Sequence, residues 1–207
     1  MTMKKLALFL NSLFLAGCAM VGIRNTEQAG YEVIFRQDDV EIRNYHQLIV
    51  AETEIDADYT QAGSIGFNRL AGYIFGKNIQ KQSMAMTSPV YREAVSEKIA
   101  MTAPVLQQKT QEKWSMAFVM PSEYSLETLP EPLDPLVMIK SIPSKKVAVL
   151  IYSGTLSAER ISDKSQQLIA WLKANQYTPL SDARSAAYDP PWTIPALRRN
   201  EIHIDID

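Results

Sequence analysis

Few side chains in this chain of 207 residues are of a type and spacing that does chemistry. Two histidines and one cysteine leave no material for a Cys-rich zinc site or an intrachain disulfide framework. His203-x-Asp205 has the spacing of a metal pair. However, it alternates with Ile202, Ile204 and Ile206, which predicts that Glu201, His203 and Asp205 form the wet face of a strand. Glu52, Glu54, Asp56 and Asp58 make an acidic row. Hard cations want ligands converging from a loop, so this row is expected to be a solvated face. Met84 and Met86 share one side of a strand and have thioethers suited to a soft metal, although core filling is the commoner use of Met. Gly-x-Ser-x-Gly, His-Glu-x-x-His, Cys-x-x-Cys and a phosphate loop are all missing. With 23 acidic residues, acid–base work by some carboxylate pair stays open. A net charge of −2 gives no electrostatic case for nucleic-acid binding.

The single cysteine, Cys18, sits at the end of a recognisable leader. Lys4 and Lys5 precede the apolar run Leu6 to Ala16, and Gly17 and Cys18 follow. A basic start, a short apolar stretch and a small-residue zone form a secretory signal. The run is shorter than the roughly 20 residues a membrane span needs. Leu15-Ala16-Gly17-Cys18 resembles the lipobox of bacterial lipoproteins. That resemblance implies cleavage after residue 17 and acylation of Cys18. Two or three acyl chains anchor stably where one is marginal. Ala19, rather than Asp, follows the cysteine, which in the lipoprotein pattern points to the outer membrane, facing the periplasm. Losing Lys4 and Lys5 from 21 basic residues, against 23 acidic ones, takes the net charge to −4. Residues 18–30 are read as an acylated tether, and 31–207 as the folded domain.

The elements that must position any site are mostly strands. Tyr31–Arg36 and Val40–Tyr45 flank Gln37-Asp38-Asp39 as a hairpin. Leu48–Ile55 continues as a strand. From Tyr59 to Phe75 the period changes, with Phe67, Leu70, Ala71 and Ile74 on one helical face and Gly76 as the stop. Gly63, Gly66 and Gly72 weaken this helix by about 1 kcal/mol each against Ala. Met84–Val90 and Ile99–Val105 share Ala-Met-Thr-x-Pro-Val and are expected as two strands that break or bend at Pro89 and Pro104. Trp114–Met120, Val137–Ile142, Lys146–Ser153, Ala183–Tyr188 and Arg198–Asp207 supply further strands. Ser157 caps a second helix running to Asn175. The order strands–helix–strands, stated twice, predicts an α+β domain of two pseudo-repeats, a distorted antiparallel barrel with two flanking helices.

Several segments together resemble the SOUL haem-binding family. They are Tyr31-Glu32-Val33 with Val40 to Tyr45, Phe67-x-x-Leu70-x-x-Tyr73-Ile74-x-Gly76-x-Asn78, and Lys98-Ile99-Ala100-Met101-Thr102-Ala103-Pro104-Val105. Trp114-x-x-x-Phe118-Val119-Met120-Pro121, the Pro130-x-Pro132 pair, Ala187-Tyr188-Asp189-Pro190-Pro191-Trp192-Thr193 and Arg198-Arg199-Asn200-Glu201 complete the set. The resemblance implies the same barrel and non-catalytic binding of haem or another tetrapyrrole in a surface hydrophobic groove. It implies no shared axial ligand. It points to the first helix, where Phe67, Leu70, Tyr73 and Ile74 can wall a cleft and Arg69 and Lys77 can meet propionates. His46 is a weak axial candidate. No cofactor is required for folding. The expected function is an envelope carrier, buffer or scavenger with a tetrapyrrole ligand and a membrane anchor. An envelope protein-interaction module is the alternative, and a small hydrolase or isomerase using a cleft carboxylate is a third.

Overall fold

The structure, a computed structural model, describes residues 26–80, 96–110 and 112–207. The leader, Cys18 and the Met84–Val90 segment lie outside the described residues. No helix among those described is long and apolar enough to cross a membrane.

Nine strands form one antiparallel sheet. In chain order they are β1 (Tyr31–Gln37), β2 (Val40–Tyr45), β3 (Leu48–Ile55), β5 (Val105–Thr110), β6 (Lys113–Val119), β8 (Met138–Ile142), β9 (Lys145–Tyr152), β10 (Arg184–Ala187) and β11 (Asn200–Asp205). A separate ribbon pairs β4 (Asn78–Ile79) with β7 (Glu131–Pro132). Helix α1 spans Tyr59–Ile74 and α2 spans Ala158–Ala174.

The order across the sheet is β1-β2-β9-β11-β10-β5-β6-β3-β8. It reads as two mirrored trios, β9-β11-β10 and β5-β6-β3, each with its own helix: α1 packs on β3 and β6, and α2 on β9 and β11. The expected repeat is thus β3–α1–β5–β6 followed by β9–α2–β10–β11. The remaining strands are exchanged between halves, because β2 pairs with β9 and β8 with β3. Only His46 and Gln47 join β2 to β3, a reach of at most about 11 Å. In the sheet those strands stand six places apart, about 29 Å if it were flat. The sheet therefore has to curl, and it does so into a half-barrel.

The helices begin and end as their sequences dictate. Asp58 accepts from Thr60 N at 2.9 Å and Gln61 N at 3.0 Å, capping α1, and Gly76 at φ +116° lets the chain leave it. Ser157 caps α2 through Arg160 N. Gly66 has a packing reason: a Cβ there would meet Ile55 Cδ1 at 3.0 Å and Met116 Cβ at 3.1 Å. The helix thus rests its backbone on the sheet. One apolar core lies under each helix, and a third fills the concave face with Tyr45, Val50, Ala117, Val119, Val147 and Val149.

Three expectations change. Ile99–Pro104 is not a ladder strand, and β5 begins at Val105. Ile99 N donates to Ile74 O at 2.8 Å, and Ala103 N donates to Glu27 O at 2.9 Å, so this segment is held by α1 and by the N-terminal stretch. Ala29 N in turn donates to Ala103 O at 3.0 Å, so packed structure begins ahead of Tyr31. Finally, Glu201 and His203 are buried rather than wet. β11 is a central strand, and the curl folds its second face inward.

Candidate functional site

That inward face carries the polar chemistry of the molecule. On β2, Glu41, Arg43 and Tyr45 share it; on β11, Glu201, His203 and Asp205 do. Arg43, fully buried, donates from Nη1 to Glu201 Oε2 and from Nη2 to Glu201 Oε1, each at 3.0 Å, and from Nε to Glu41 Oε2 at 2.7 Å. Arg43 Nη1 also donates to Tyr45 Oη at 3.0 Å. Glu201 further accepts from Arg199 Nε at 2.8 Å and Tyr188 Oη at 2.9 Å, and its Oε2 lies 2.7 Å from His203 Nε2. The Arg43 guanidinium lies 4.2 Å from the Tyr31 ring centre, and Arg199 lies 4.0 Å from that of Tyr188.

These contacts set the charge states. Burial pushes the Glu201 carboxyl up, but the His203 hydrogen bond and the Arg43 guanidinium outweigh it and hold the group well below the usual carboxylate range. Burial pushes the His203 imidazole below its ordinary value despite Glu201. Glu201 is an ionised acceptor and His203 a neutral ring, whose Nε2 proton is held by the carboxylate. A general acid needs the opposite, a carboxyl kept protonated, so this buried carboxylate lacks the signature of the hydrolase reading. It works as the hub of a charged core.

Beside the hub a cavity of about 280 Å³ opens on the concave face. A polar row crosses four adjacent strands in register there: His203 on β11, Arg184 on β10, Gln108 on β5 and Ser115 on β6. At its mouth Asp205 bridges two cations, with Lys145 Nζ at 2.6 Å from Oδ2 and Arg184 Nη2 on Oδ1. Burial and Arg184 push the Lys145 ammonium down, against the pull of Asp205.

The residues expected at the first helix divide. Leu70, Tyr73 and Ile74 are core, packed against the sheet with Ala51, Ile55 and Phe118, and Tyr73 Oη donates to Pro130 O at 2.9 Å. Phe67 is partly exposed, its ring centre 5.5 Å from that of Phe118. Arg69 donates to Thr53 Oγ1 at 2.7 Å and pairs with Asp134 at 3.3 Å. Lys77 is exposed, its stem beside Gly72, and no acceptor meets its ammonium among the described residues. Around the C-terminal end of α1 the chain leaves Phe75 61% and Leu133 57% exposed, with Ile79 and Leu136 also open. Leu133 N donates to Lys77 O at 3.1 Å, which ties that loop to the helix end.

His46 is exposed at the β2–β3 link and borders a second cavity of about 330 Å³, with Met120 and Tyr124 on its wall. In the acidic row, Glu52 meets Lys140 at 3.0 Å, Glu54 meets Lys113 at 3.9 Å, and Asp58 is the α1 cap. Among the described residues no three His, Cys, Asp or Glu side chains converge on a metal position. The buried hub was missed from sequence. Its one visible signal was the matching alternation of charge in Glu41-x-Arg43 and Glu201-x-His203-x-Asp205.

No curated protein matches the chain significantly. Among solved structures, the C-terminal domain of EcmrR is similar over 86% of this chain and 98% of that one, at 13% identity and a TM-score of 0.57. A hydrolase from Listeria innocua aligns over 84% of this chain and 94% of its own, at 8% identity and a TM-score of 0.50. At those identities the likeness is one of fold. The family comparison reaches further: the model described as SOUL heme-binding protein matches residues 26–205. It runs from the segment that pairs with Ala103 to the last residue of β11, and so takes in the hub, the cavity and the α1 surface together. The chain belongs to the SOUL haem-binding family.

Proposed function

We propose that this protein is a non-catalytic binder of haem or a related tetrapyrrole, held at the bacterial envelope by acyl chains on Cys18 and acting as a carrier, buffer or scavenger. The family match over residues 26–205 carries the reading. The concave cavity, at about 280 Å³, falls below the roughly 300–1,000 Å³ of ordinary ligand pockets, so the macrocycle is placed outside it, on the surface at the end of α1. Phe67, Phe75, Ile79, Leu133 and Leu136 offer apolar area there. Lys77, whose ammonium meets no acceptor among the described residues, can face a propionate, while Arg69 is committed to Thr53 and Asp134. The group would bring its own redox and ligand-binding chemistry, and the protein would supply a platform and a counter-charge. The leader, with Lys4, Lys5 and the lipobox-like Leu15 to Cys18, supports the envelope placement.

Titration of the chain from Ala19 onward with haemin tests the binding. A shifted Soret band that saturates at one equivalent is expected. A spectrum identical to free haemin at stoichiometric protein overturns the reading. In that case co-purification of an envelope partner would favour the interaction module.

A further inference from the structure

We propose that the concave cavity is a second binding site, independent of the tetrapyrrole surface, for a small amphipathic monocarboxylate. Two cations, Lys145 and Arg184, share the single carboxylate of Asp205 at its mouth. The other acid on the wall, Glu52, is already matched by Lys140 at 3.0 Å. His203 brings no charge, since its ring is neutral beside Glu201. Within the lining Lys145 and Arg184 balance Glu52 and Asp205, and it is Lys140, the partner of Glu52 outside the cavity, that leaves the group one positive charge in excess. Arg184 uses Nη2 on Asp205, and its Nε and Nη1 meet no acceptor among the described residues. Its side chain is 9% exposed and lines the cavity. A planar carboxylate is the acceptor that a guanidinium edge fits best.

The rest of the cavity selects the body of the ligand. Leu106, Ala117, Val119, Leu48 and Ile142 come from β5, β6, β3 and β8 at one end of the sheet, and Val147 on β9 faces them from the other. These side chains are aliphatic, and the two acids of the lining, Glu52 and Asp205, are already paired with cations. Gln108 and Ser115 extend the polar row next to Arg184, and the Gln108 amide or the Ser115 hydroxyl can donate a second hydrogen bond to the head group. The volume of about 280 Å³ suits a short chain or a single ring and leaves no room for a macrocycle.

Calorimetric titration of the full chain with hexanoate tests the site, with hexanol and hexylamine as probes of the same length. Hexanoate is expected to bind with a dissociation constant on the order of 1 mM, and the alcohol and amine at least about tenfold more weakly. Arg184→Gln should weaken hexanoate by about tenfold or more. Lys145→Gln, at a more exposed position, carries the same test if the first variant does not fold. Ala117→Phe should remove binding by filling the cavity. Equal binding of hexanol, or hexanoate binding unchanged in Lys145→Gln and Ala117→Phe, overturns the proposal. Competitive displacement of hexanoate by haemin also overturns it, because the two sites would then be one. Haemin binding that persists unchanged in Ala117→Phe supports two separate sites.

Discussion

Arg43 and Glu201 face each other across the inside of the half-barrel through two parallel hydrogen bonds of 3.0 Å, with neither side chain reaching solvent. They come from β2 and β11, which both pair with β9. The pair therefore ties the exchanged strand of the N-terminal half to the last strand of the chain. Its worth lies in completeness: Glu41, Arg199, Tyr188 and His203 satisfy the remaining donors and acceptors. A half-satisfied version would be worse than an apolar one.

Removing one partner should therefore cost far more than a surface ion pair. Glu201→Gln is expected to lower unfolding free energy by about 3–5 kcal/mol, measured by urea denaturation at neutral pH. Lys140→Gln, which breaks the half-exposed pair with Glu52, should cost less than about 1 kcal/mol. Similar losses in the two variants would mean the buried hub is not integral to the fold.

Acid should destabilise the protein across two pH windows. His203 is held neutral, below its ordinary value, so only the unfolded chain takes its proton as pH drops through about 6.5. Glu201 stays ionised in the fold, so the unfolded chain also takes the second proton, below about 4.3. Both groups bind more protons unfolded than folded, and stability rises with pH across both windows. Urea midpoints from pH 8 to pH 4 should fall, with His203→Gln removing the decline between about pH 7 and 5.5. A flat profile in that interval for the parent protein would contradict a buried neutral His203.

Two glycines of one helix should respond with opposite signs. A Cβ on Gly63 finds its nearest neighbour, Gln107 Oε1, at 4.0 Å, so Gly63→Ala should stabilise by about 0.5–1 kcal/mol through helix propensity. Gly66→Ala drives a methyl into Ile55 and Met116 and should destabilise by about 1–3 kcal/mol despite the same propensity gain. Thermal unfolding of the two variants decides this. Stabilisation by both would show that α1 can lift from the sheet at no cost.

At the α1 surface, Phe75→Ala should weaken haemin binding by about tenfold and Lys77→Glu by about two- to fivefold. Both side chains are exposed, so stability should move by no more than about 0.5 kcal/mol. Spectroscopic titration gives both readings. If neither affinity changes while binding persists, the tetrapyrrole sits elsewhere on the molecule.

Cys18→Ser should abolish the incorporation of labelled fatty acid into the protein in a bacterial host, because the proposed acylation starts on a cysteine sulfur and the chain has no second cysteine. Undiminished label in the variant would remove the lipid anchor from the proposed function.

The parts of this fold that were legible in the sequence are those decided locally. The Ser157 cap, the Gly76 stop and the turn at Asp38-Asp39 each follow from the conformational preferences of a few neighbours, whereas Asp58, read as part of an acidic row, turns out to cap α1. The seven-residue offset from Phe67 to Ile74 likewise marked α1, although burial then separated the core residue Ile74 from the partly exposed Phe67. What stayed hidden depends on curvature. Alternation in Glu201-x-His203-x-Asp205 fixes which side chains share a face, but only the two-residue links between β2 and β3 and between β8 and β9 decide that this face is enclosed. Ile99–Pro104 shows the same limit. Its composition is that of a strand, but its backbone groups find partners in Ile74 and Glu27, distant in sequence and invisible to a local pattern.

The exchange of β2 and β8 makes the two halves inseparable. Each repeat lacks the edge strand it needs and borrows it from the other, so neither carries a complete sheet if the chain is cut between β7 and β8. A lone N-terminal half would leave the open side of β3 unpaired, and a lone C-terminal half would do the same for β9. Each exposed edge is a template for another copy. An isolated half is therefore poised to rebuild the missing pairing between two molecules, as a swapped dimer or as aggregate. The intact chain avoids this by being its own partner, at the cost of postponing its most distant pairings until nearly all of it is present.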